Sequence, residues 1–183
     1  MGKWIRAFAL LLVMPSCALA QQAKLTDIIV TNTRDDLLLF MNVEGAFHES
    51  IESAVLSGVP VTFSFFVTLH QGRDFWIDKE IADIKFTHTI KYDNLKKEFT
   101  VYRSWQKGEP LVTKSIDYAK KRMTEINSFR VAPLSQLEKG KTYQLRAKAE
   151  LSKRTLPLYL HYVFFFMSLW DFETDWYTID FVF

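Results

Sequence analysis

Cysteine is nearly missing from this sequence: Cys17 is the only one in 183 residues. A lone cysteine excludes an internal disulfide, so the folded chain has to be held by its core. Long apolar runs are missing too. Ala7 to Val13 is uncharged and apolar, and Leu156 to Trp170 is interrupted only by Pro157, His161 and Ser168. Both fall short of the ~20 residues that a helix needs to cross a bilayer. The four histidines, His48, His70, His88 and His161, stand apart, with no His-x-x-x-His pairing. Zinc needs clustered nitrogen and sulfur ligands, so each histidine reads as a polar-face or satisfied core residue, and no metal or cofactor is expected. There is also no Gly-x-Ser-x-Gly elbow and no glycine loop to cradle a phosphate.

The first 20 residues have the order of a secretory signal. Lys3 and Arg6 come first, then the apolar run, then Pro15, then the small residues Ala18-Leu19-Ala20. The expectation is cleavage after Ala20, a mature chain starting at Gln21, and a periplasmic location. Two alternatives remain: an uncleaved anchor, or lipidation of Cys17, because Met14-Pro15-Ser16-Cys17 loosely resembles a lipobox. Once the leader is cleaved, membrane association is expected only if Cys17 is lipidated. The leader also carries the charge excess. The whole chain has 23 Lys+Arg and 21 Asp+Glu, and removing Lys3 and Arg6 leaves 21 against 21. A neutral domain has no electrostatic footprint for nucleic acid. Lys120-Lys121-Arg122, the densest basic run, is read as a solvated helix face.

What remains, residues 21–183, has the length of one domain. Sixteen phenylalanines suit a pleated, half-buried surface. Strand periodicity dominates. Lys24 to Thr33 and Asp36 to Glu44 lean to β. Val59, Val61, Phe63, Phe65, Val67 and Leu69 alternate with polar residues, broken only by Phe66. Ile84, Phe86, His88, Ile90 and Tyr92 repeat the pattern. Phe99, Val101 and Arg103 return after a turn at Asp93-Asn94. Tyr143, Leu145, Ala147 and Ala149 alternate behind Gly140, a Gly-x-x-Tyr that resembles the corner of immunoglobulin-like sandwiches. Two helices are expected. One spans His48 to Ser57, stopped by Gly58; the other spans Ser115 to Asn127, capped by Ser115, with Ile116, Ala119, Met123 and Ile126 on one face. Leu156 to Trp170 reads as a strand buried on both faces or as a buried helix.

The chain closes on WDFETDWYTIDFVF. Tyr177, Ile179, Phe181 and Phe183 are expected to form one buried face of a last strand, and the acidic residues before them to sit wetted at the sheet's end. Asp171, Glu173 and Asp175 could offer oxygens to calcium, but the glycine and distal glutamate of a calcium loop are missing. Glu173, flanked by aromatics, is the candidate acid if the chain were a carboxylate-dependent hydrolase. Trp76, Trp105, Trp170 and Trp176 stand beside polar loops, where tryptophan can anchor a partner or lid the core. The candidate binding residues are therefore Trp76, Trp105, Trp170, Asp171, Glu173, Asp175 and Trp176.

Several stretches together resemble a bacterial exported family known only as domain of unknown function number forty-three ninety. They are Ala54-Val55-Leu56-Ser57-Gly58-Val59-Pro60 running into Phe63-Ser64-Phe65, then Phe75-Trp76-Ile77-Asp78, then Ile90-Lys91-Tyr92-Asp93-Asn94-Leu95 before Phe99-Thr100-Val101, and Trp170-Asp171-Phe172. The resemblance implies no activity and carries over no functional residue. Genes of that family often neighbour a membrane sensor kinase of the nitrogen-regulation type, which implies an envelope sensor protein as partner. The sequence thus points to an exported antiparallel β-sandwich with two short helices, acting as a non-catalytic binding domain. The alternatives are a small outer-membrane β-barrel, suggested by the alternating apolar tail ending in Phe183, and the hydrolase.

Overall fold

The computed structural model describes residues 23–72, 78–152 and 172–183. It is mainly antiparallel β. The elements are β1 (Lys24–Asn32), β2 (Asp36–Glu44), α1 (Glu49–Leu56), β3 (Val61–Gln71), β4 (Lys79–Asp93), β5 (Glu98–Arg103), β6 (Leu111–Thr113), α2 (Ile116–Thr124), β7 (Ile126–Pro133), a 3-10 turn (Leu134–Gln136), β8 (Thr142–Leu151) and β9 (Tyr177–Val182). They form a three-stranded sheet, β1-β2-β7, and a six-stranded sheet, β6-β5-β4-β3-β8-β9.

Alternation along the strands builds the core between the sheets. Leu37, Leu39, Met41 and Val43 of β2 are buried, as are Phe63, Phe65, Val67 and Leu69 of β3 and Tyr143, Leu145, Ala147 and Ala149 of β8. Phe86 of β4 stacks on Phe129 of β7 at 4.2 Å, joining one sheet to the other. This is the packing of a β-sandwich, with side chains from two inner faces meeting in one core. The expected corner is present: Tyr143 is fully buried and its hydroxyl accepts the Glu138 N–H at 2.7 Å. Edge strands end both sheets among the described residues, whereas a barrel closes its edges. No helix of the described residues is long and apolar enough to cross a membrane.

The structure departs from the sequence reading in three places. The second helix stops at Thr124, not Asn127, because Glu125 is already extended and Ile126 pairs with Met41 in the three-stranded sheet. Its cap is as expected, with the Ser115 hydroxyl accepting the Tyr118 N–H. The third strand starts at Val61, two residues later than its apolar pattern. The last strand exists, in register with β8 from Ala147↔Tyr177 to Thr142↔Val182, but it is an edge strand. Tyr177 is 41% exposed, and Ile179, Phe181 and Phe183 are half-buried, so the expected buried face is only partly covered. The stretch Leu156 to Trp170 lies outside the described residues.

Gly58 shows why the first helix stops where it does. Its φ is +84°, and its N–H reaches the Val55 carbonyl at 2.9 Å. That backbone conformation favours glycine, and a Cβ there would also have to push aside the Asn94 amide, whose Nδ2 would lie 2.9 Å away.

Candidate binding groove

Trp76, Trp170 and Asp171 lie outside the described residues. The other expected site residues do not converge on one place. Trp105 follows β5 and turns inward, edge-on to Phe129 at 5.5 Å and near Phe86 at 6.3 Å. Its indole N–H donates to His88 Nε2 at 2.9 Å. It lids the core, because both its ring and its one polar atom are taken up by the protein. Trp176 is 41% exposed and lies under Arg146 and Lys148, with cation-to-ring distances of 4.9 and 5.7 Å. Glu173 is exposed and ion-paired with Lys148, and Asp175 is exposed. Between these two acids, Thr174 is buried, and its hydroxyl accepts the Ala149 N–H. Residues 172–176 thus alternate between packing on β8 and facing solvent. Among the described residues no three His, Cys, Asp or Glu side chains converge as metal ligands.

His88 is fully buried on β4 and satisfied at both nitrogens. An indole nitrogen only donates, so Nε2 accepts from Trp105 and Nδ1 carries the proton, donating to the Met123 carbonyl at 2.8 Å. The ring is therefore neutral. Burial pushes its pKa down to about 4; the Met123 carbonyl opposes that, and the charges of Arg103 and Arg122 add to it.

Beside this network opens a groove of about 760 Å³. The ladder between β5 and β6 ends at Val101↔Leu111, and loop 104–110 stands beyond it. Thr87, Thr89, Tyr102 and Ser104 line the groove together with Arg103 and Arg122. Arg103 donates from Nε and Nη2 to the Arg122 carbonyl, at 3.0 and 2.5 Å. It thereby satisfies an orphan carbonyl in the last turn of α2 and complements the negative end of the helix dipole. Burial, then the neighbouring Arg122 charge, pulls the Arg103 pKa down to about 10. Arg122 has a weaker hold of its own: Nη1 lies 3.8 Å from Glu125, and its covered Nε has no hydrogen-bond partner among the described residues. The Ser104 hydroxyl accepts the Thr87 N–H at 2.8 Å, which fixes the rim.

Reading Lys120-Lys121-Arg122 as a solvated face missed this. Lys120 and Arg122 are half-buried; Lys120 pairs with Glu52 and ties α2 to α1, while Arg122 lines the groove. The sequence held one usable signal. Arg103 falls on the inward phase of Phe99 and Val101, where an arginine needs a reason to be.

No curated protein and no solved structure matches the chain. The model of one family, described as "Domain of unknown function (DUF4390)", matches residues 20–180. With nearly the whole chain matched, the protein belongs to the DUF4390 family.

Proposed function

We propose that this protein is a periplasmic, non-catalytic binding domain, exported through the signal in residues 1–20, that serves an envelope sensor protein. One observation carries the binding part: the groove at the end of β5, framed by the sheet, α2 and loop 104–110 and lined by two arginines and several hydroxyls. Its volume is in the range of small-ligand pockets, and Arg103 and Arg122 stand on a strand and a helix, where recognition groups are held more firmly than on a free loop. The sensor partner rests on the family's gene neighbourhoods and not on the geometry. The test is photo-crosslinking in cells that carry the sensor kinase. A crosslinking residue is placed at Tyr102 or Gln106 on the groove, and as a control at Asp180 on the opposite edge of the same sheet. The expected result is an adduct with the sensor kinase from the groove positions only. Equal labelling from Asp180, or no adduct from either groove position, would sink the reading.

A further inference from the structure

We infer that the groove beside β5 is an oxyanion site, and that Arg122 is the residue that takes the carboxylate or phosphate of a small organic anion. This rests on the groove being the binding surface and adds what it recognises. The two guanidiniums are neighbours, and the charge of Arg122 disfavours that of Arg103. One nearby carboxylate, Glu125, is shared between them. Arg103 gives two donors to a backbone carbonyl, which brings no negative charge. Arg122 faces Glu125 only at 3.8 Å, longer than a charge-assisted hydrogen bond, and its Nε has no acceptor among the described residues. Because Nε is covered, the guanidinium can gain an acceptor only at its terminal nitrogens. Those form a fork suited to the paired oxygens of a carboxylate or phosphate.

The rest of the lining agrees. Lys107 adds a cation, and Glu109 is the only carboxylate among the lining residues. Ser104 and Tyr102 place hydroxyls on the wall, able to donate to further oxygens. An anion seated here would face Arg103, Arg122 and Lys107 against Glu109 of the lining, with Glu125 beside the two arginines.

The experiment follows the arginine side-chain Nε–H signals by NMR in the full chain, titrated separately with inorganic phosphate and with succinate. A saturable shift of the Arg122 signal is expected with at least one of them, and the probe that gives it tells phosphate from carboxylate recognition. Arg122→Gln should weaken that probe's binding about tenfold or more, the size of one lost charge-assisted bond, while the backbone amide spectrum stays folded. Should Arg122→Gln fail to fold, Arg122→Lys keeps the charge but loses the fork and should still bind about tenfold more weakly. No saturable shift with either probe overturns the inference, and so does undiminished binding in the folded variant. If both fail while groove crosslinking succeeds, the binding surface stands and only its chemistry is wrong.

Discussion

His88 shows how one side chain can tie an element to a core and make the tie depend on pH. The imidazole joins β4, the last turn of α2 and Trp105 through one donor and one acceptor. Protonating it would turn the acceptor into a donor facing the indole N–H, with two arginines nearby. The folded pKa of about 4 lies below the ordinary value of 6.5. A depressed pKa means that the full stability is present above pH 6.5. Below it, the unfolded chain takes up a proton that the folded chain refuses, and stability falls until the pH reaches about 4. The loss across that window is on the order of 3 kcal/mol. Urea unfolding at pH 7.5 and pH 4.5 should reveal it, and His88→Gln, less stable at both, should show a much smaller pH difference. An equal difference in the variant would assign the titration elsewhere. At this scale the sequence was only partly legible. The alternating pattern placed His88 on the inner phase, and that was right. It placed Trp105 in a turn, also right, but nothing local says that a turn tryptophan points back into the core. That follows from the histidine, 17 positions away in the chain, that accepts its proton.

Among the elements, β9 is an edge strand of the larger sheet. It is paired on one side only, and its apolar phase is half-covered. Phe181 stacks on Tyr143 at 5.8 Å, and the backbone of Phe183 bonds to Gly140 and Lys141. Deleting Asp180 to Phe183 removes these contacts. Two fully buried phenylalanines would cost ~3–5 kcal/mol each. Half burial brings the expected total to about 3–4 kcal/mol, most of it apolar. In thermal and urea unfolding the shortened chain should be folded but clearly weakened. A wild-type melting curve would mean that β9 adds nothing to the core. The acids before it behave differently. Glu173→Gln with Asp175→Asn removes one exposed pair with Lys148 and should cost under about 1 kcal/mol. Element type and phase were readable here because period-two alternation is a local property. Depth of burial was not, since it depends on whether a strand ends a sheet, and sheet order is set by partners distant in sequence. The second helix gives the same lesson from the other side. Ile126 continues the 3.6-residue apolar spacing, yet it is claimed by pairing with Met41.

The described residues form two sheets that share one core, to which α1 adds Ile51 and Val55 and α2 adds Ala119 and Met123. The three-stranded sheet brings Leu39, Met41 and Phe129; the six-stranded sheet brings Phe65, Phe86 and Ile90; all are buried in one continuous cluster. A core shared in this way should unfold as one cooperative unit. Phe129 tests this best, since it sits at the junction, stacked on Phe86 and edge-on to Trp105. Phe129→Ala should cost ~3–5 kcal/mol. The loss should appear in both sheets at once. Hydrogen exchange read by mass spectrometry, in detergent-free buffer, should speed up in peptides from β2 and from β3 to similar extents, although neither strand carries the substitution. Circular dichroism should show a single transition at lower denaturant. If exchange rose only in β1, β2 and β7 while the six-stranded sheet kept its protection, the sheets would be separate folding units. The groove beside β5 would then stand on the larger sheet alone. If instead the substitution were neutral, the stack between Phe86 and Phe129 would not be what holds the sandwich closed.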